Sequence, residues 1–151
     1  MARNSNKRRA VLLALAAGAI VAAGVAGCAP TATDQSAPPT ATLQTTPGSS
    51  VPSVVLTQLG KQRIGLETAP VGTGPGGRAT FPYSALLYEP NGTPAVYVPT
   101  GRLTFLRHYV KVAAIRGNTV VVASGVTPGQ RVVTSGAEEL LGVQNGVGEE
   151  T

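Results

Sequence analysis

Residues 103–115 read LTFLRHYVKVAAI and form the longest strand candidate of the chain. One face of this strand would carry Leu106, His108, Val110, Val112 and Ala114, and the other face Phe105, Arg107, Tyr109 and Lys111. Successive side chains of a β-strand point to opposite faces of its sheet. We therefore expect the valine-bearing face to pack in the core and the other face to be accessible.

Short runs rich in Val, Leu, Tyr and Thr surround this stretch and are separated by turn residues. Strands are expected within 53–57, 67–71, 79–88, 95–98, 120–122 and 131–134, with a helical turn within 59–66. Glu89-Pro90-Asn91-Gly92 predicts a hairpin turn, because glycine accepts the backbone angles that such turns need. Short β-rich runs at this spacing are typical of a sandwich or barrel. The sequence thus predicts an all-β domain at residues 53–148, a small β-barrel or sandwich of antiparallel strands.

One short C-terminal helix is expected after the last strand. Ser135 and Glu138 have the spacing of a capping box, in which each side chain bonds the backbone amide at the other residue. Leu140 and Leu141 continue the helix and Gly142 can end it. A helix of about two turns persists only when its apolar side chains pack on another element. Residues 149–151 are expected to be a tail.

The segment before the β domain has the composition of a spacer. Residues 29–52 consist mainly of Ala, Pro, Thr, Ser and Gln, with Leu43 and Val51 as the large apolar residues. Such a segment buries too little apolar surface to offset the entropy lost on ordering. We expect residues 28–52 to be a disordered linker, with a reach of roughly 25–30 Å as a coil.

The N-terminus has the pattern of an export signal. Basic residues at positions 3–9 precede an uncharged apolar run at 10–26, and small residues lead to Cys28. The sequence Val25-Ala26-Gly27-Cys28 resembles the lipobox of bacterial lipoproteins, in which the cysteine is acylated, for example with palmitate. We expect residues 1–27 to be a signal peptide forming a helix and Cys28 to be the lipid attachment site. A transmembrane anchor, or a cleaved signal with unmodified Cys28, remains an alternative.

Charge and composition exclude several function classes. Of the 12 Lys and Arg residues, four lie at positions 3–9, leaving eight dispersed ones against seven Asp and Glu. A nearly neutral mature chain without a basic patch does not indicate nucleic-acid binding. A soft-metal site needs several Cys, His or Met ligands, and the mature domain offers His108 alone. No catalytic constellation is found either, so we expect no cofactor, no metal and no enzymatic activity.

The order of motifs along residues 79–148 resembles the C-terminal part of periplasmic adaptor subunits, the membrane fusion proteins of resistance-nodulation-division (RND) efflux pumps. The opening strand of that family is similar to residues 54–71. The motifs are FPYSALLY at 81–88, PNG at 90–92, VYV at 96–98, TFLR at 104–107, VKV at 110–112, GVTPGQRVV at 125–133, GAEELLG at 136–142 and GVG at 146–148. Family members insert lipoyl, hairpin and barrel modules where this chain has only residues 72–78. The resemblance is therefore to the membrane-proximal domain alone.

The lipobox-like sequence and the resemblance to adaptor subunits together imply a lipid-anchored accessory subunit on the periplasmic, extracytoplasmic side of the cell membrane. Its partner would be an inner-membrane transporter, either an RND pump or an ATP-driven (ABC) permease, and oligomerisation is possible. Phe105, Arg107 and Tyr109 would form the docking patch, since aromatic residues and Arg are enriched in such patches; core or cross-strand packing is the alternative for the aromatics. The alternative function is a stand-alone cell-envelope lipoprotein that binds a small ligand or a wall component.

Overall fold

The computed structural model describes residues 39–45 and 47–146. The expected signal peptide, Cys28, most of the expected linker and the tail lie outside these residues. The described part contains antiparallel sheets and a short C-terminal helix. The prediction of a small all-β fold is thus confirmed.

Eleven strands and two helices make up the described part of the chain. The strands are β1 (Ala41–Gln44), β2 (Ser53–Leu56), β3 (Glu67–Pro70), β4 (Gly72–Thr73), β5 (Ala79–Pro82), β6 (Leu87–Tyr88), β7 (Pro94–Pro99), β8 (Thr104–Tyr109), β9 (Lys111–Arg116), β10 (Thr119–Ser124) and β11 (Arg131–Ser135). The helices are α1 (Gln58–Arg63) and α2 (Ala137–Gln144), and short 3₁₀ turns lie at Pro75–Gly77 and Tyr83–Ala85. No helix in this part of the chain is long and apolar enough to cross a membrane.

The strands form three antiparallel sheets. Their orders are β1-β2-β8-β7-β6, β4-β5-β10-β9 and β11-β3. The expected long strand at 103–115 is therefore divided, because the chain leaves the five-stranded sheet after β8 and enters the four-stranded sheet as β9. Val110 lies at the junction and is 5% exposed. The segment on either side of Val110 therefore contributes β8 to one sheet and β9 to another.

The five-stranded sheet is covered on both faces at its centre. One face contributes Val96 and Val98 to a core shared with the four-stranded sheet. The other contributes Val54, Tyr97 and Phe105 to a core that also contains Leu140 of α2. The expectation of a single core face along 103–115 was wrong, since alternation marks one buried face only when the other face meets water.

The first strand lies inside the segment that was expected to be a disordered linker. β1 pairs with β2 over four residues, from Ala41↔Leu56 to Gln44↔Ser53. Most of its side chains are exposed, so backbone pairing holds it more than apolar burial does. Thr40 O just before β1 accepts hydrogen bonds from Thr57 N (3.0 Å) and Thr57 Oγ1 (3.2 Å). The linker prediction is therefore wrong for residues 41–44.

The C-terminal helix is confirmed, but not its expected ends. Gly136 is the N-cap, with a left-handed φ of 79°, and no side chain caps the helix. Ser135 belongs to β11 instead, so the capping box does not form. The helix continues through Gly142 to Gln144. Leu140 is fully buried in the second core, which supplies the packing that so short a helix needs.

Candidate functional site

The structure describes three of the four predicted site residues and places them in different environments. Cys28 lies outside the described residues. Phe105 is 2% exposed and belongs to the second core, so its expected role in a docking patch is wrong. Arg107 and Tyr109 lie further along β8 and contact each other, with Arg107 Cζ 5.6 Å from the centroid of the Tyr109 ring.

The strand register explains why these side chains meet a third residue, Glu89. Directly opposed residues of antiparallel strands share a face of the sheet. Tyr97 lies opposite Arg107, and Ala95 lies opposite both Tyr109 and Leu87. Glu89 follows Leu87 by two residues and is joined to Thr93 by a backbone hydrogen bond of 3.0 Å. Its carboxylate therefore projects from the same face as Arg107 and Tyr109.

Glu89, Arg107 and Tyr109 form a connected polar cluster, which we call the Arg107 cluster. Arg107 Nη1 lies 2.8 Å from Glu89 Oε1, and Tyr109 Oη donates a 3.2 Å hydrogen bond to the same oxygen. The side chains of Arg107 and Glu89 are only 11% and 12% exposed. An ion pair so far removed from water holds its geometry well, although desolvation offsets much of its attraction.

The cluster borders an open part of the surface. Tyr109 is 45% exposed and Tyr88 is 50% exposed. A shallow groove of about 280 Å³ runs beside residues 106–109 of β8, with residues 48–51 as its opposite wall. The arrangement thus combines a fixed guanidinium, an accessible aromatic ring and a groove, which are features of binding surfaces.

A second polar network lies deeper, at Tyr97. Its hydroxyl donates a 2.6 Å hydrogen bond to Gln144 Oε1, and Gln144 Nε2 donates to the carbonyl oxygen of Pro52. Burial raises the pKa of Tyr97 above its ordinary value, while the Arg107 guanidinium opposes this shift. This network joins β7, α2 and the segment leading into β2, and its role is structural.

Other candidate sites are limited. His108 lies in β8 opposite Val96 and is half-buried. Among residues 39–45 and 47–146, no three His, Cys, Asp or Glu side chains are grouped so that they could hold a metal ion. A small apolar pocket of about 60 Å³ lies between β1, α1 and α2, with Arg63 and Glu139 among its lining residues.

Sequence reasoning missed Glu89, which was treated only as part of a turn. The hairpin register contained a usable signal. Side chains two residues apart in a strand lie on the same face, so Glu89 is expected on the face of the buried Leu87.

Comparison of the chain with protein-family models, with curated proteins and with solved structures finds no match.

Proposed function

We propose that this protein is a lipid-anchored, extracytoplasmic accessory subunit that docks onto a transmembrane efflux transporter. The observation that carries the proposal is the Arg107 cluster beside its groove. It presents an exposed tyrosine whose position is held by a neighbouring guanidinium and carboxylate. Aromatic and Arg side chains of this kind dominate the binding energy of many protein interfaces.

Preorganisation makes this cluster suited to docking. Association normally loses about 0.5–1.5 kcal/mol for each flexible side chain that becomes fixed at the interface. Here Arg107 and Glu89 are already held by their ion pair. Tyr109 is tied to Glu89 through its hydroxyl, so little further ordering is required when a partner covers the ring.

The membrane anchor and the class of partner are supported by the sequence. The export pattern ending at Cys28 supports a lipid anchor, and the resemblance to efflux adaptor subunits supports an inner-membrane transporter as partner. Two or more acyl chains give stable attachment, whereas one chain holds only marginally. The β domain would then work by contact with the transporter, without covalent chemistry of its own.

Co-purification tests the docking. The tagged full-length protein is isolated from membranes of its own cells in mild detergent, and polytopic transport proteins in the eluate are quantified by mass spectrometry. Tyr109→Ser should lower their recovery about fivefold, which corresponds to roughly 1 kcal/mol. Tyr83→Ser is the matched control, because Tyr83 is 43% exposed but lies in a separate 3₁₀ turn. Equal recovery with both variants, or the absence of any transporter, would contradict the proposal.

Lipidation is tested separately from docking. Mass spectrometry of the mature N-terminus should find acyl chains on Cys28, and Cys28→Ala should release the protein from washed membranes. A lipidated protein that recovers no transporter but retains a small molecule or a wall fragment would favour the stand-alone lipoprotein instead.

A further inference from the structure

The hydrogen-bonding directions along β8 follow from the register of the sheet. Thr100 N donates to Thr104 O, and Val110 N donates to Pro94 O. Even-numbered residues of β8 therefore direct their backbone groups toward β7. Leu56 N donates to Leu103 O, so odd-numbered residues direct theirs toward β2, as the alternation of an antiparallel ladder requires.

The ladder between β2 and β8 is short. It contains two opposed pairs, Val54↔Phe105 and Val55↔Thr104. Two residues further along, the same register would bring Pro52 opposite Arg107. Proline has no backbone N–H, and the carbonyl oxygen of Pro52 accepts a hydrogen bond from Gln144 Nε2. On the side of β8 that faces β2, the described chain thus supplies no regular strand partner for Arg107.

The groove beside residues 106–109 lies where this partner strand would continue. The volume of this groove is about 280 Å³. One water molecule needs only roughly 15 Å³ measured in the same way, so the groove has room for a group much larger than a single water. Residues 48–51 line the groove together with residues 106–109, and within the described residues the pairing of β8 with β2 does not extend to this point. By the alternation above, the backbone N–H and C=O of Arg107 point into this groove.

Three polar side chains that line the groove already have partners. Arg107 is paired with Glu89, and Tyr109 bonds the same carboxylate. The hydroxyl of Ser49 donates to Val51 O and accepts from Val51 N. The Arg107 guanidinium charge and the hydroxyls of Tyr109 and Ser49 are thus paired, although Arg107 Nε itself has no hydrogen-bond partner. The backbone N–H and C=O of Arg107 are further groups at the groove that a ligand could engage.

We propose that the open edge of β8 at Arg107 binds an extended peptide segment of the docking partner through main-chain hydrogen bonds. The inference rests on the proposed docking function and specifies which groups of this protein would contact the partner. An antiparallel segment places one residue opposite Arg107, and that residue both donates and accepts. Exposed strand edges recognise peptides in this way, with main-chain bonds giving affinity. The segment must carry an N–H at that residue, which excludes proline.

Two capped pentapeptides test binding at the open edge of β8, with the isolated full-length protein in detergent. The first is acetyl-Ala-Thr-Ala-Thr-Val-amide, whose C-terminal valine can lie opposite Arg107 without overlapping Val54, the partner of Phe105. The second is identical except for an N-methyl group on this valine. In ¹⁵N spectra, the first peptide should shift the amide signal of Arg107, and the methylated one should bind about tenfold more weakly. Equal binding of both peptides, or shifts confined to other strands, would overturn the inference.

Pro52→Val tests the cause of the open edge. The new N–H allows β2 to extend, so the amide of Arg107 should become protected from hydrogen exchange and peptide binding should be lost. Pro47→Val is the matched control, because Pro47 is an exposed proline in the same connection and is not among the residues that line the groove. If Pro52→Val prevents folding, the comparison of the two peptides on the unaltered protein still decides.

The experiments distinguish an error in the peptide-binding inference from an error in the proposed function. If Pro52→Val abolishes peptide binding but the variant still recovers the transporter fully, the open edge of β8 is not the docking site, and the proposed function is unaffected. If the unaltered protein binds the peptide at Arg107 but recovers no transporter, the proposed function is contradicted, and peptide binding at the open edge of β8 is unaffected.

Discussion

Replacement of Gln144 by alanine should destabilise the domain through the buried Tyr97 hydroxyl. Tyr97 is fully buried, and its hydroxyl donates to Gln144 Oε1 at 2.6 Å. Removing the acceptor leaves a buried donor unsatisfied, which costs about 1–3 kcal/mol. Gln144 also binds the carbonyl oxygen of Pro52. We expect the free energy of unfolding to fall by about 2 kcal/mol, a decrease in Tm of roughly 10 °C for a domain of this size.

Urea unfolding followed by circular dichroism measures this change. Gln62→Ala is the matched control, since Gln62 is an exposed glutamine in the other helix, and it should alter stability by no more than about 0.5 kcal/mol. Adding Tyr97→Phe to the Gln144→Ala variant should recover about 1 kcal/mol, because the unsatisfied hydroxyl is then gone. The reasoning is refuted if Gln144→Ala changes stability no more than Gln62→Ala does.

Three further predictions concern pH and close backbone contacts. Burial raises the pKa of Tyr97, so the unfolded chain loses the hydroxyl proton first, from about pH 10, and the free energy of unfolding should fall as the pH rises above that value. In urea unfolding at alkaline pH, Tyr97→Phe should reduce this fall, and an unchanged dependence on pH would contradict the assignment. Gly125→Ala should lower the free energy of unfolding by about 3–5 kcal/mol in thermal unfolding, because φ of Gly125 is +112° and a Cβ would overlap the Tyr109 carbonyl oxygen. Gly129→Ala is the control and should lower it by only about 1–2 kcal/mol, because Gly129 also has a positive φ but no atom lies near its Cβ position. Gly60→Ala should detach β1, since a Cβ would overlap the Thr40 carbonyl; faster hydrogen exchange at residues 41–44 alone is expected, and unchanged exchange there would show that β1 tolerates the methyl group.

The strand content was accessible from sequence because local alternation and turn residues mark individual strands. The hairpin at Glu89–Gly92 and the return of 119–124 along 111–116 follow from such local signals. The pairing of β11 with β3 was not accessible, since the two strands are more than 60 residues apart and no local pattern specifies which edges meet. β1 was missed because backbone pairing to an existing edge leaves little trace in side-chain composition.

The candidate site was only partly accessible. Alternation correctly placed Phe105, Arg107 and Tyr109 on one face of β8. It did not show that α2 and the second core cover that face at Phe105 and leave it open at Tyr109. Burial here depends on where a helix distant in sequence ends, which is a tertiary property. The groove likewise depends on Pro52 facing Arg107, a relation that only the register of β2 and β8 reveals.

The pairing of β1 sets an upper limit on how far the domain could lie from an anchor at Cys28. If Cys28 carries the acyl chains, the 11 residues between Cys28 and Thr40 span at most about 40 Å, whereas the 24 residues between Cys28 and Ser53 would span at most about 85 Å. By fixing residues 41–44 at the edge of a sheet, the pairing of β1 with β2 thus lowers this greatest possible distance by about half, without any contact to a neighbouring membrane protein.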